Sequence, residues 1–172
     1  PCFEIKKDRR KINKRNWEKA VIWTQKLGSN IMIRSYSKVN LFLKVLKKNS
    51  NGLHNIQTTT MLIDLCDKIS IKRINKNKDV ILFTGPFKKN TNSKKNTVVS
   101  TLSLLRNHSF ISHSKKYKIT INKRIPVFAG LGGGTGNAAS IIKFFLKKKI
   151  NLKLIELFEK KIGSDLRLFF FN

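Results

Sequence analysis

The stretch KRIPVFAGLGGGTGNAAS, residues 123–140, places five glycines among the seven positions from Gly130 to Gly136. An alternating segment precedes it and an apolar-periodic one follows. Glycine lets backbone N–H groups turn toward a ligand that side chains would keep away. A helix starting directly afterwards adds unpaired N–H groups and the positive end of its dipole. Together these make a nest for phosphate, to which Thr135 adds a hydroxyl. A tight turn alone would need one or two glycines, so five point past a turn. Two common nucleotide fingerprints are excluded. No Gly-Lys pair supplies a Walker A, and Gly130 and Gly132 lead to Thr135 where a G-x-G-x-x-G would have glycine.

The elements around this loop follow from periodicity. SKVNLFLKVLKK alternates Val39, Leu41, Leu43 and Val45 with Lys38, Asn40, Phe42 and Lys44, which predicts a strand, and Asn49 to Gly52 supply a turn. MLIDLCDKISIKR and DVILF read as further strands, and GPFKKNTNSKKN as a solvated loop. A helix is predicted from Asn96 as N-cap, with Val98, Leu102 and Leu105 on one face. YKITINK places Tyr117, Ile119 and Ile121 on one side of a strand. After the glycines, Ala138, Ile142, Phe145 and Leu146 line a helix. A second helix runs from the cap Asn151 to the stop Gly163. The terminal LRLFFFN reads as a strand cut off in mid-element, which suggests a fragment. The order predicts an α+β fold, with helices on one side of a mixed sheet.

Composition sets outer bounds. The 172 residues suffice for one domain with a core, and no run approaches the roughly 18 apolar residues of a membrane helix. Lys and Arg number 37 against 9 Asp and Glu, a formal charge of +28. That excess would suit a nucleic-acid binder, but Lys, Asn, Ile and Phe are abundant together and the lysines are scattered, as AT-rich coding produces. Either way the field draws anions toward a cleft. Cys2 and Cys66 have no metal-ligand spacing and are too few for a disulfide framework, so a reduced compartment is the expectation. Residues 1–33, basic in their middle part, suit the remnant of a targeting leader or a low-complexity extension.

The loop PVFAGLGGGTGNAA resembles the Pro-x-x-x-Gly-Leu-Gly-Gly-Gly-Ser-Ser-Asn-Ala-Ala signature of the GHMP kinases. Within that superfamily, SKVNLFLKVLKKNSNGLHNIQT, LIDLCDKISI, KKNTVV and GSDLRLFFF are similar, in the same order, to the motifs of the branch that serves non-mevalonate isoprenoid synthesis. The likeness covers about residues 36–171. It implies the GHMP N-terminal domain, a ribosomal-protein-like α/β sandwich over residues 34–172, with a second domain missing from this chain and little turnover from these residues alone. It implies ATP, Mg²⁺ and a small-molecule substrate, cytidine diphosphate methylerythritol, phosphorylated on its 2-hydroxyl. Carried over by position, Asp165 is the catalytic carboxylate. Lys38 is its partner, which would keep it ionised and offset charge on the substrate oxygen. Pro126, Val127, Phe128, Ala129, Gly130, Leu131, Gly132, Gly133, Gly134, Thr135, Gly136 and Asn137 would wrap ATP, with Asn96 and Lys123 near the adenine. Asn40, two residues from Lys38 and so on the same strand face, and His54, at a cytosine-recognising position, would hold the substrate. No acidic cluster dictates metal ligands.

Four departures qualify the resemblance. Leu53 stands for a tyrosine before His54, Gly136 for a serine, Phe128 for a small residue and Arg167 for a proline after Asp165. Arg167 either leaves the Asp165 turn less rigid or aims another cation at the site. A homoserine- or mevalonate-type kinase, an inactive relative and a basic RNA-binding module are the competing readings. The glycine loop and the Asp and Lys motifs weigh against RNA, so neither nucleic acid nor membrane is expected as a partner. Oligomeric state is not legible. A leader of targeting type would imply a plastid-type organelle, apicoplast or chloroplast; otherwise the cytoplasm is expected.

Overall fold

A computed structural model describes residues 24–27, 30–48, 54–91 and 96–171. Residues 1–23, which hold most of the leader and Cys2, the turn at Asn49 to Gly52, and Leu53 lie outside the described residues. Five strands form one sheet: β1 (Thr24–Leu27), β2 (Asn30–Lys48), β3 (His54–Ile74), β4 (Val80–Thr84) and β5 (Lys116–Asn122). Their order is β1-β2-β3-β5-β4. All neighbours are antiparallel except β4 and β5, which run parallel with helix α1 (Thr97–Asn107) between them in sequence. The sheet is therefore mixed.

One face of the sheet carries the core. Ile33, Ile69, Ile71, Ile119 and Ile121 are buried on it, in register across β2, β3 and β5. Val98, Leu102 and Leu105 of α1 close over them. So do Ala138, Ile141, Ile142 and Leu146 of α2 (Gly133–Leu146), and Ile155 and Phe158 of α3 (Leu152–Ile162). Each fully buried side chain of this size contributes about 1.5–3 kcal/mol relative to exposure. The caps are those expected. The Asn96 side chain accepts from the Val98 and Val99 N–H groups at 2.9 and 3.1 Å, and that of Asn151 from Leu154 N–H at 2.9 Å. Gly163 ends α3 with φ +148°.

Two expectations change. The terminal apolar run is not a strand: Ser164–Arg167 form a 3₁₀ turn and Leu168–Phe171 a short helix, α4. Leu166, Phe169 and Phe170 are buried together, and their i, i+3, i+4 spacing is helical; a four-residue apolar run does not by itself tell strand from helix. The second change concerns β2. It is a strand throughout, but its alternation does not mark a buried face. Beyond Lys38 it pairs only with β3, as a two-stranded ribbon whose Leu41, Phe42, Leu43 and Val45 are all exposed. A register shift between Asn40 and Phe42 leaves Leu41 without an opposite residue, so the period of two is broken there.

Candidate active site

The loop of residues 126–132 leads from β5 into α2. Gly132 is the N-cap in the left-handed region, φ +68°, and no side chain caps the helix. The first helical hydrogen bond is the one Gly136 N–H donates to the Gly132 carbonyl at 2.7 Å, so the N–H groups of Gly133, Gly134 and Thr135 precede the intrahelical ladder. The first turn holds no acidic residue. This is a helix start suited to an anion.

Close packing explains three of the glycines; a Cβ on Gly133 would fall 2.9 Å from Ile125 Cγ2. A Cβ on Gly132 would fall 2.7 Å from the Phe169 ring and 3.2 Å from Lys38 Cγ. One on Gly136 would lie 3.1 Å from both the Phe169 ring and the Tyr36 carbonyl. Gly136 thus stands where β2 and α4 leave little room for the serine of the family signature. Phe128 is the opposite case. It adopts φ +64° and is 97% exposed, a strained backbone at the lip of the loop.

Lys38 and Asp165, far apart in sequence, meet here. Lys38 Nζ lies 3.4 Å from Asp165 Oδ2 and donates to Asn40 Oδ1 at 3.1 Å. The lysine is almost wholly buried while the carboxylate is 40% exposed, so the acid faces the open side of the pair. The Lys38 N–H donates to the Leu131 carbonyl at 3.0 Å, tying β2 to the glycine loop. Asp165 sits on the 3₁₀ turn after α3, anchored by buried Leu166, whose N–H bonds the Gly163 carbonyl at 3.1 Å. Arg167 does not aim at the site. Its Nη2 lies 2.8 Å from Glu159 Oε2 and 3.5 Å from Glu156 Oε1 on α3, bracing the Asp165 turn from behind. Burial pushes the Glu159 carboxyl above its usual range, partly offset by Arg167.

The remaining expected residues divide. Asn96 caps α1, and neighbouring Thr97 donates from Oγ1 to the Gly134 carbonyl at 3.0 Å, so the start of α1 flanks the loop. Lys123 is buried beneath the loop, its Nζ 2.5 Å from Asp67 Oδ2. His54 opens β3 opposite Lys48, far along the ribbon; its side chain is outside the described set. Among the described residues, no group of three His, Cys, Asp or Glu could hold a metal ion.

Asp67 is the residue that sequence reasoning passed over. It is fully buried, with Oδ1 accepting from the N–H groups of Arg124 and Ile125 at 2.8 and 2.9 Å and Oδ2 from Lys123 Nζ and Asn137 Nδ2 at 2.5 and 2.9 Å. The signal was present: Asp67 shares strand parity with Ile69 and Ile71, which places a charge on the inward face.

A glycine nest on a helix start beside a Lys–Asp pair, on this sheet, defines a class. Residues 96–166 match the family model described as GHMP kinases N terminal domain, and the chain carries that domain. Among curated proteins, it is similar to the 4-diphosphocytidyl-2-C-methyl-D-erythritol kinases. It is 41% identical over 138 residues to that of Pelagibacter ubique (strain HTCC1062), covering 80% of this chain and 48% of the relative. It is 34% identical over 145 residues to that of Thermosipho melanesiensis, covering 83% and 49%. A solved 4-(cytidine 5'-diphospho)-2C-methyl-D-erythritol kinase superposes with a TM-score of 0.61 at 25% identity, over 80% of this chain and 48% of that one. The chain spans about half the length of the curated relatives it matches.

Proposed function

We propose that this chain forms the ATP-binding, base-carrying half of a kinase that phosphorylates the 2-hydroxyl of 4-diphosphocytidyl-2-C-methyl-D-erythritol. The observation that carries the reading is the 3.4 Å Lys38–Asp165 pair next to the glycine loop, in a chain whose relatives bear that name. The loop N–H groups hold the triphosphate. Asp165 takes the proton of the acceptor hydroxyl as its oxygen attacks the γ-phosphorus, and the bond to the β,γ-bridging oxygen breaks to release ADP. The Lys38 ammonium offsets negative charge building on the attacking oxygen. Asn40, which turns its Oδ1 to Lys38 and is itself exposed, and His54 on the ribbon serve the acceptor side. Mg²⁺ bound with ATP would lower the phosphate charge, held by phosphate oxygens and water with Asp165 the nearby carboxylate. We assign the substrate by these residues together and place the protein in a plastid-type organelle through residues 1–33, to be checked by imaging a fluorescent fusion of that segment.

The test joins residues 1–172 to the second half of the Pelagibacter relative and follows ATP by phosphorus NMR. ADP and a new phosphomonoester with the cytidine substrate, and neither with homoserine or mevalonate, are expected. Turnover on either of the latter would overturn the substrate assignment.

A further inference from the structure

Two ends of the glycine loop meet on one carboxylate. Asp67 Oδ1 receives the N–H groups of Arg124 and Ile125, which enter the loop, and Oδ2 receives the side chain of Asn137, which leaves it in the first turn of α2. Lys123 adds the fourth bond and neutralises the charge. All four acceptor directions of the carboxylate are filled, and the group is fully buried. The ammonium of Lys123 also lies under the first residue of α2: a Cβ on Gly133 would be 3.2 Å from its Nζ. Between these tethers the loop is glycine-rich, with left-handed backbone at Phe128, Gly130 and Gly132. Such a segment loses more conformational freedom than any other on being ordered.

We propose that Asp67 is the positioning residue of the phosphate loop, cinching its entry and exit so that the N–H groups of Gly133 to Thr135 are aimed before any ligand arrives. This rests on the reading of the loop as a phosphate site. A buried ion pair replaced by well-packed uncharged residues often costs little stability, so stability and loop order are separable. Binding energy otherwise spent on ordering a loop is saved when the loop is preorganised.

Two uncharged pairs separate the cinch from mere packing. In Asp67→Asn/Lys123→Met, the introduced amide oxygen still accepts the two backbone N–H groups. Once the Asn137 amide turns over, the new N–H donates to the Asn137 Oδ1, which in the wild type has no hydrogen-bond partner. In Asp67→Leu/Lys123→Met every tether is lost. Affinity for ATP and for inorganic tripolyphosphate is measured by calorimetry, and amide exchange by NMR. Both pairs lose Lys123 alike, so the reading is the difference between them: the Leu-containing pair should bind both probes about tenfold more weakly than the Asn-containing pair. The Leu-containing pair should also show faster exchange at Arg124, Ile125 and Gly136 and unchanged exchange at Ile119, Ile121, Ile141 and Ile142. Asn137→Ala keeps the Asp67–Lys123 pair and should release only the exit side, speeding exchange of the Gly136 N–H, which is bonded to the Gly132 carbonyl. Equal affinity and equal loop protection in the two pairs, with wild-type protection in Asn137→Ala, would overturn the proposal. Absence of tripolyphosphate and ATP binding in the wild type would instead overturn the phosphate reading, while the exchange rates still decide whether Asp67 orders the loop.

Discussion

At one end of the β2–β3 hairpin, Asp67, Lys38 and Lys123 are enclosed, and each has a named partner. At the other end Leu41, Phe42, Leu43, Val45, Leu46 and Met61 stand 41–62% exposed, with no described layer over them. The same two strands build both. The enclosed end packs on α2 and the Asp165 turn, and its polar groups are fixed by short bonds. The ribbon end has only its own cross-strand ladder. The residues assigned to ATP sit at or near the enclosed end, whereas Asn40 and His54, assigned to the acceptor, lie along the ribbon. The residues assigned to the donor thus gather at the enclosed end, and those assigned to the acceptor lie along an open strip.

Substitutions at the enclosed end should be costly and those on the ribbon cheap. Gly132→Ala meets the Phe169 ring at 2.7 Å with φ +68° and should lower stability by about 3 kcal/mol in urea unfolding, strain and overpacking combined. Comparable in size is a pH effect at α2. Burial holds the Lys143 ammonium down to about 8, although it donates to the Phe169 carbonyl at 2.5 Å. Between that value and its unfolded value of 10.5 the unfolded chain binds more protons than the folded one. Stability should therefore rise with pH from about 8 to 10.5, by about 3 kcal/mol for this group. Lys143→Met should remove that slope in unfolding midpoints measured across the window. Phe128→Gly should raise stability by about 1 kcal/mol by relieving its left-handed backbone. Smallest of all, Leu41→Ser with Leu43→Ser should stay within about 0.5 kcal/mol of wild type per site, as exposed positions do. A large loss there would show that the ribbon is as tightly built as the loop end.

What the sequence disclosed divides along the same line. Asn96, Asn151 and Gly163 announced α1 and α3 because caps act within a few residues, and the glycine loop was legible for the same reason. Lys38 and Asp165 were joined only through a family resemblance, since nothing local says that β2 and the turn after α3 touch. Asp67 needed strand parity to be read against charge. The exposed Leu41, Leu43 and Val45 show the limit of alternation: a period of two reports a strand, and burial depends on whether another layer packs on it. Leu166, Phe169 and Phe170 carried a helical spacing that the strand-like composition of LFFF concealed.

The most direct check on the central claim is Asp165→Asn in the joined protein, with ATP affinity and ADP formation measured side by side. ATP should bind within about twofold of the wild type, because the carboxylate lies beside the loop and not in it, while turnover should fall by about 10²–10⁴, the usual share of a general base. Undiminished turnover in Asp165→Asn would contradict the account.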